Sequence, residues 1–367
     1  MDDITAGFIG FGFIGGSIGK ALKERYPNTK IIVYDQGYCK ESLLSAKDEY
    51  IIDERCSHVS NKFSCCDIIF LCAPVLTNIE YLKEVKAVMK PTCILTDVGS
   101  VKESIHEAVT LLDLDANFIG GHPMAGSEKS GYLHSNSKLI ENAYYILTPT
   151  DKTPSKMVDY LYQLVSDMGA LPLILNAKEH DNIVAAISHL PHIIAASLVN
   201  LVKNSDTKEG KMQAIAAGGF KDITRIASSS PIVWQNVCLS NAKSITSFLE
   251  EYICSLENIV DALKTSNEDY LYQVFHTARE YRDSIPKKGI GLITKVYEIY
   301  VDIIDESGVI ATIATILASN HISIKNIGII HNREFENGVL RIEFYHEEAL
   351  EKSVHLLRKY RYIIYER

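Results

Sequence analysis

No Cys-x-x-Cys pair occurs in this 367-residue chain, although it contains eight cysteines, Cys39, Cys56, Cys65, Cys66, Cys72, Cys93, Cys238 and Cys254. Scattered cysteines argue against a disulfide framework and a zinc ribbon, and they fit a reduced interior. The adjacent Cys65 and Cys66 precede an apolar strand and read as packing. Basic runs interleaved with aromatics are also missing, and the formal net charge is -9. Nucleic acid is therefore excluded as a partner. The N-terminus has two aspartates followed by an apolar strand, without a cationic segment and a long apolar core, so export is not expected and a cytoplasmic location is. No uncharged apolar run is read as reaching the roughly eighteen residues that a bilayer span needs. What remains is ordinary globular composition, 47% hydrophobic and 23% charged, in a chain long enough for two or three domains.

The first half alternates strand and helix signals. A short apolar strand from Ile4 leads into Gly10-Phe11-Gly12-Phe13-Ile14-Gly15, a helical pattern follows, and a second strand, Lys30 to Tyr34, ends on Asp35. Gly-x-Gly-x-x-Gly between a strand and a helix, with an acidic residue about twenty positions on, is the dinucleotide-binding context. Gly10 permits the tight turn, Gly12 lets the backbone approach a pyrophosphate, and Gly15 lets helix and strand pack closely. The helix N-terminus then meets the negative charge. Asp35 accepts from ribose hydroxyls and repels a 2'-phosphate, and no arginine follows it closely, so NAD is expected over NADP. Strands are predicted at Asp67 to Cys72, ending at Ala73-Pro74, at Cys93 to Asp97, Asn117 to Ile119, Ala143 to Leu147 and Leu171 to Leu175. Helices are predicted at Thr77 to Met89, Glu103 to Leu112 and Ser155 to Met168. The pattern predicts a Rossmann-type doubly wound parallel sheet over residues 1–175, with Gly10, Asp35, Ala73, Ser100 and His122 converging on its carboxyl edge.

Gly120 to Gly131 holds four glycines and a proline in twelve residues. Such a stretch is expected to be a loop, unable to sustain a helix or a central strand. His122 within it is either a turn residue or a group that moves a proton near neutral pH.

After Asn176 only helical signals remain, giving an all-α domain over 176–284. Its first helix, Ala177 to Lys203, is apolar on most faces and contains Ser188-His189-Leu190-Pro191-His192. Pro191 should kink it, and His189 and His192, three apart, share a face. They could ligate zinc, but no companion ligand spacing accompanies them, so no metal site is predicted. Lys221 and Arg225, four apart with Asp222 between them, put two cations on one helical face. That face is either solvated surface or a seat for a carboxylate. Trp234 reads as a core anchor or a wall of the site. Helices of roughly Val233 to Leu263 and Asp269 to Tyr281 follow, and Ser284 to Gly289 has linker composition.

The last segment, 294–367, reads as strand Lys295 to Ile304, a turn through Gly308, helix Val309 to Ser319, strands Ile322 to Ile330 and Val339 to Tyr345, helix Ala349 to Lys359 and strand Tyr362 to Tyr365. This βαββαβ order is a ferredoxin-like split unit.

Five stretches together resemble the prephenate dehydrogenases of tyrosine biosynthesis across nearly the whole chain. They are Gly-Phe-Ile-Gly-Gly-Ser from Gly12, Asp-Val-Gly-Ser-Val-Lys from Asp97, Gly-Gly-His-Pro-Met-Ala-Gly-Ser-Glu from Gly120, Ser-His-Leu-Pro-His from Ser188, and Gly-Gly-Phe-Lys-Asp-Ile-Thr-Arg-Ile-Ala from Gly218. The C-terminal segment is similar to ACT domains, which sense amino acids. Ser307 stands where such modules often carry proline, and Asn320-His321 replaces a usual glycine. The resemblance implies hydride transfer from C4 of prephenate to NAD+ with loss of the ring carboxylate as CO2, giving 4-hydroxyphenylpyruvate. It further implies His122 as base or polarising group with Ser100 near the same oxygen. His189, His192, Lys221 and Arg225 would be substrate-binding, and Glu128 and Asp222 acidic partners of the arginine. Gly10, Gly12, Phe13, Ile14, Gly15, Asp35, Ala73, Pro74 and Ser100 would hold NAD. A homodimer is implied, as is feedback by tyrosine near Gly308 and Asn320. An arogenate dehydrogenase, another hydroxyacid or imine-reducing dehydrogenase, and a non-catalytic NAD- and amino-acid-sensing regulator are the alternatives.

Overall fold

The structure, a computed structural model, describes residues 4–36, 40–126, 129–285, 297–303, 308–330 and 338–366. It divides into two compact units, Met1–Gly291 and Leu292–Arg367. The sheet and the helices that follow it thus belong to one unit.

Eight strands form the sheet of the first unit: β1 Thr5–Ile9, β2 Lys30–Tyr34, β3 Glu54–Cys56, β4 Ile68–Leu71, β5 Ile94–Asp97, β6 Phe118–Pro123, β7 Tyr144–Pro149 and β8 Leu171–Ile174. Their order is β3-β2-β1-β4-β5-β6-β7-β8. Strand β3 was not anticipated. It is three residues long and at the edge, too short for a periodic signal. The near-continuous apolar strands are those of a sheet covered on both faces. Phe8 packs with Ile18, Leu22 and Phe70 on one side, and its neighbour Ile9 packs with Leu82, Val85 and Phe118 on the other. Each such fully buried side chain contributes about 1.5–3 kcal/mol. The strand order reverses between β1 and β4, and open α/β sheets take ligands at the carboxyl ends of strands beside such a switch point.

Two expectations are corrected here. The sheet is not wholly parallel, because β6 and β7 pair antiparallel. Gly120 to Pro123 are not loop but the end of β6, with Gly121 opposite Leu147 and His122 opposite Ile146. The physical reason is crowding. A Cβ on Gly120 would strike the Thr148 hydroxyl, and one on Gly121 would lie 2.5 Å from the Asp97 carbonyl oxygen. Glycine serves there as the residue a tightly packed strand can hold, not as a strand breaker. Pro123 is tolerated because the pairing of β5 with β6 stops at Ile119, so no ladder bond is lost.

The helical layer begins with Ala177–Val184 and continues as Leu190–Ser205. Between them Ala185–His189 forms one π-helical turn, in which the Leu190 N–H reaches back to the Ala185 carbonyl. The predicted irregularity at Pro191 takes this form, since proline has no N–H to offer Ile187 and a widened turn precedes it. The joined segment Ala177–Ser205 is 29 residues long with mean hydropathy 1.6 over eighteen of them. By length and composition alone it could cross a bilayer, contrary to the expectation above. It holds His180, Asp181 and His189, all buried against the rest of the unit.

The expected helix Val233 to Leu263 is broken into Pro231–Ser240 and Ala242–Lys264. Asn241 makes the break, buried with its side-chain amide donating to the Asp181 carbonyl at 2.8 Å. Helix Glu268–Ser284 ends the layer, and most of the expected linker lies outside the described residues.

The second unit contains β9 Tyr297–Ile303, helix Val309–Ser319, β10 Ile324–Ile330, β11 Gly338–Phe344, helix Glu347–Lys359 and β12 Ile364–Glu366. Its antiparallel sheet has the order β10-β11-β9-β12. Ile299, Val301, Leu340, Ile342 and Phe344 point inward onto Ile313, Leu317 and Leu357 of the helices. Residues 331–337, between the two expected strands, and Ser307 lie outside the described residues.

Candidate active site

At the switch point the Gly10 N–H donates to the Tyr34 carbonyl at 2.8 Å and φ is +87°. A Cβ at Gly10 would lie 2.9 Å from the Ala73 nitrogen, so glycine is required. Among the described residues, nothing stands within 4 Å of a Cβ at Gly12, and no side chain caps the helix Phe13–Arg25 that starts beyond it. An open backbone at an uncapped helix N-terminus fits a phosphate group. Asp35, at the end of β2, accepts the Phe11 N–H at 2.7 Å, which ties the acidic residue to the glycine turn. Ala73 is fixed by its N–H donating to Asn78 at 3.0 Å, and Pro74 precedes the helix Val75–Val88. The residues present therefore fit a dinucleotide.

One strand further, Asp97 and Lys102 form a completely buried ion pair. Lys102 Nζ also donates to the Gly121 carbonyl at 2.7 Å, while Asp97 accepts the Gly121 N–H at 3.1 Å and the Gly99 N–H at 2.8 Å. Burial pulls the Lys102 ammonium below its usual range and Asp97 opposes this. The pair fastens the backbone of β6 beside His122 to the segment carrying half-buried Ser100.

His122 itself is half-buried at the end of β6. Its Nδ1 lies 2.7 Å from His180 Nε2, and His180 Nδ1 lies 2.7 Å from Asp181 Oδ1. Burial, followed by the neighbouring His180, Lys102 and His189, holds His122 well below the usual imidazole range, so it is neutral at pH 7. Asp181 also accepts the backbone N–H groups of Lys102 at 2.7 Å and Glu103 at 2.8 Å, capping the helix Glu103–Leu111 from a distant part of the chain.

Further along, His189 is buried. Its Nδ1 is 3.2 Å from the Asn241 amide, and its Nε2 has no hydrogen-bond partner among the described residues. His192 stacks on Trp234 with ring centroids 3.6 Å apart, and His189 meets the same indole edge-on at 6.0 Å. Trp234 also packs on Val75, Val101 and Val237, joining the helical layer to the sheet edge. Burial depresses both histidines to about 4, and Arg225 contributes to the shift at His192.

The structure thus brings His122, His189, His192 and Arg225 into one chain of neighbours. Lys221 and Asp222 are exposed on the helix Gly218–Thr224. Arg225 lies just past that helix in a 3-10 turn, not on a continuous α-helical face as expected. Glu128 lies outside the described residues. Sequence reasoning missed Asp97, Lys102, His180, Asp181 and Asn241. The one available signal was a run of polar residues, Glu179-His180-Asp181, in a helix otherwise read as apolar. Among the described residues, no three His, Cys, Asp or Glu side chains are grouped to hold a metal.

Residues 18–173 match the family model for the nucleotide-binding domain of prephenate dehydrogenase, and residues 176–277 match its dimerization domain. The prephenate dehydrogenase of Bacillus subtilis is 38% identical over 346 residues, covering 94% of this chain and 93% of that protein. That of Lactococcus lactis is 32% identical over 355 residues, 96% of each. Among solved structures, Aquifex aeolicus prephenate dehydrogenase in complex with hydroxyphenyl propionate and NAD+ is 32% identical with a TM-score of 0.73. The match covers 78% of this chain and 99% of that one.

Proposed function

The chain belongs to the prephenate dehydrogenase family, and we infer from this that it catalyses the NAD-dependent oxidative decarboxylation of prephenate to 4-hydroxyphenylpyruvate in the cytoplasm. NAD+, when bound, supplies the acceptor for the C4 hydride. Gly10, Gly12, Phe13, Ile14, Gly15, Asp35, Ala73, Pro74 and Ser100 hold it. His122 takes the 4-hydroxyl proton as the carbonyl forms. Decarboxylation then restores the aromatic ring, and the same imidazole returns the proton to the phenolate oxygen. Being neutral at pH 7 suits it to accept that proton. His189 offers to the substrate its Nε2, which has no partner among the described residues, His192 and Arg225 line the anionic end, and Lys221, Asp222 and Glu128 contribute charge there. The single observation that carries this division is the placement of His122 at the carboxyl edge of the sheet, one strand from the Gly99-Ser100 segment.

A homodimer is supported by the match to a dimerization domain and by the exposed apolar side chains of Ile183, Ile187 and Leu201 on the long helix. The C-terminal unit is read as an ACT-type sensor of tyrosine. On this reading the effector would sit near Gly308, which is left-handed at the start of one helix, and Asn320, which closes that helix. One assay tests both readings: NADH absorbance on mixing protein, NAD+ and prephenate, with arogenate and NADP+ as controls and tyrosine titrated at sub-saturating prephenate. NADH from prephenate supports the activity, and NADH only from arogenate replaces it with the amino substrate. Inhibition by tyrosine corresponding to about 1–3 kcal/mol of coupling supports the sensor. A flat response removes it.

A further inference from the structure

His180 and Asp181 are a buried pair behind the base for which the reaction as described has no task. We propose that they are positioning residues. Through two hydrogen bonds in series they fix His122 in the tautomer with its proton on Nδ1, so that Nε2 faces the substrate hydroxyl as an acceptor. The proposal rests on His122 being the base.

The tautomer follows from counting donors. Asp181 receives the Lys102 and Glu103 N–H groups and stands 2.7 Å from His180 Nδ1. Three donors around one carboxylate require that it only accept, so His180 Nδ1 carries a proton. The proposal gives His180 this one proton, so its Nε2 is the acceptor and the atom 2.7 Å away, His122 Nδ1, donates. The remaining lone pair of His122 is on Nε2. A histidine able to choose its tautomer would spend part of its time presenting an N–H to the hydroxyl, which cannot remove a proton. Asp181 has a second consequence. The carboxylate that orders His122 also holds the Lys102 and Glu103 amides, so base and Ser100 segment are set by one group on the helical layer.

The holoenzyme, assayed with NAD+ and prephenate, tests this with His180→Leu and His180→Gln, using His122→Asn as reference. The leucine variant should lose about a hundredfold in kcat with KM changed less than about threefold. Glutamine, whose side-chain oxygen can accept from His122 Nδ1, should recover about tenfold of that loss. Equal kcat in the two variants, or a loss that falls on KM, would reduce the pair to a structural cap. Near-normal turnover of His122→Asn would overturn the base assignment beneath the proposal. Should the leucine variant fail to fold, 15N NMR of histidine-labelled wild-type protein decides the matter, with the His122 signals identified by their loss in His122→Asn. A protonated Nδ1 and bare Nε2 are expected, and the opposite tautomer overturns the proposal.

Discussion

Two groups of histidines lie along one chain of neighbours and are closed differently. At one end, His122, His180 and Asp181 use their inward-facing polar atoms on one another and on backbone amides, over the sealed Asp97–Lys102 pair. At the other, His189 keeps a buried Nε2 without a partner among the described residues, and His192 lies flat on Trp234 next to exposed Arg225. A network satisfied internally has one remaining capacity, the outward lone pair of its last ring, and suits proton transfer. A buried donor left unsatisfied is costly unless a ligand completes it, so the second end suits binding.

The comparison is broken most severely from beneath the first end. Lys102→Met leaves Asp97 buried without its cation, and stability should fall by about 3–5 kcal/mol. Urea unfolding measures it, and a loss below about 1 kcal/mol would mean that the pair is not the foundation described. At the second end, Arg225→Ala should raise the KM for prephenate by about one to two orders of magnitude and leave kcat within a few-fold, as loss of a charge-assisted contact predicts. An unchanged KM would make Arg225 merely surface.

The smallest effect is in pH. Burial depresses His106, in the helix Glu103–Leu111, together with His189 and His192 to about 4, and holds His122 well below the usual value. Unfolded histidines titrate near 6.5. Between about 6.5 and 4 the unfolded chain therefore binds protons that the folded chain refuses, and stability present above pH 6.5 is lost as pH falls. The Tm should drop by several degrees between pH 7.5 and 5. A flat Tm would contradict the burial assigned to these rings.

How much of this was legible in the sequence depended on how local each cause is. The order of the first βαβ unit was readable, with β2 at the predicted Lys30–Tyr34, because its turn and acidic strand end are local signals. The βαββαβ order of the second unit was readable for the same reason. The end of β6 was not, because Gly120 and Gly121 look like breakers until Thr148 and Asp97 are seen pressing on them. Nor could the polar run at His180 and Asp181 reveal its partners, which lie 58 and 79 residues away. The break at Asn241 had no local mark either; its cause is the Asp181 carbonyl.

The central claim, that proton removal belongs to the internally satisfied group of His122, His180 and Asp181, is tested most directly by turnover of His122→Asn with NAD+ and prephenate, followed as NADH absorbance. Turnover is predicted to fall by roughly two to four orders of magnitude with NAD+ affinity and prephenate KM nearly unchanged. Near-normal turnover would contradict the claim.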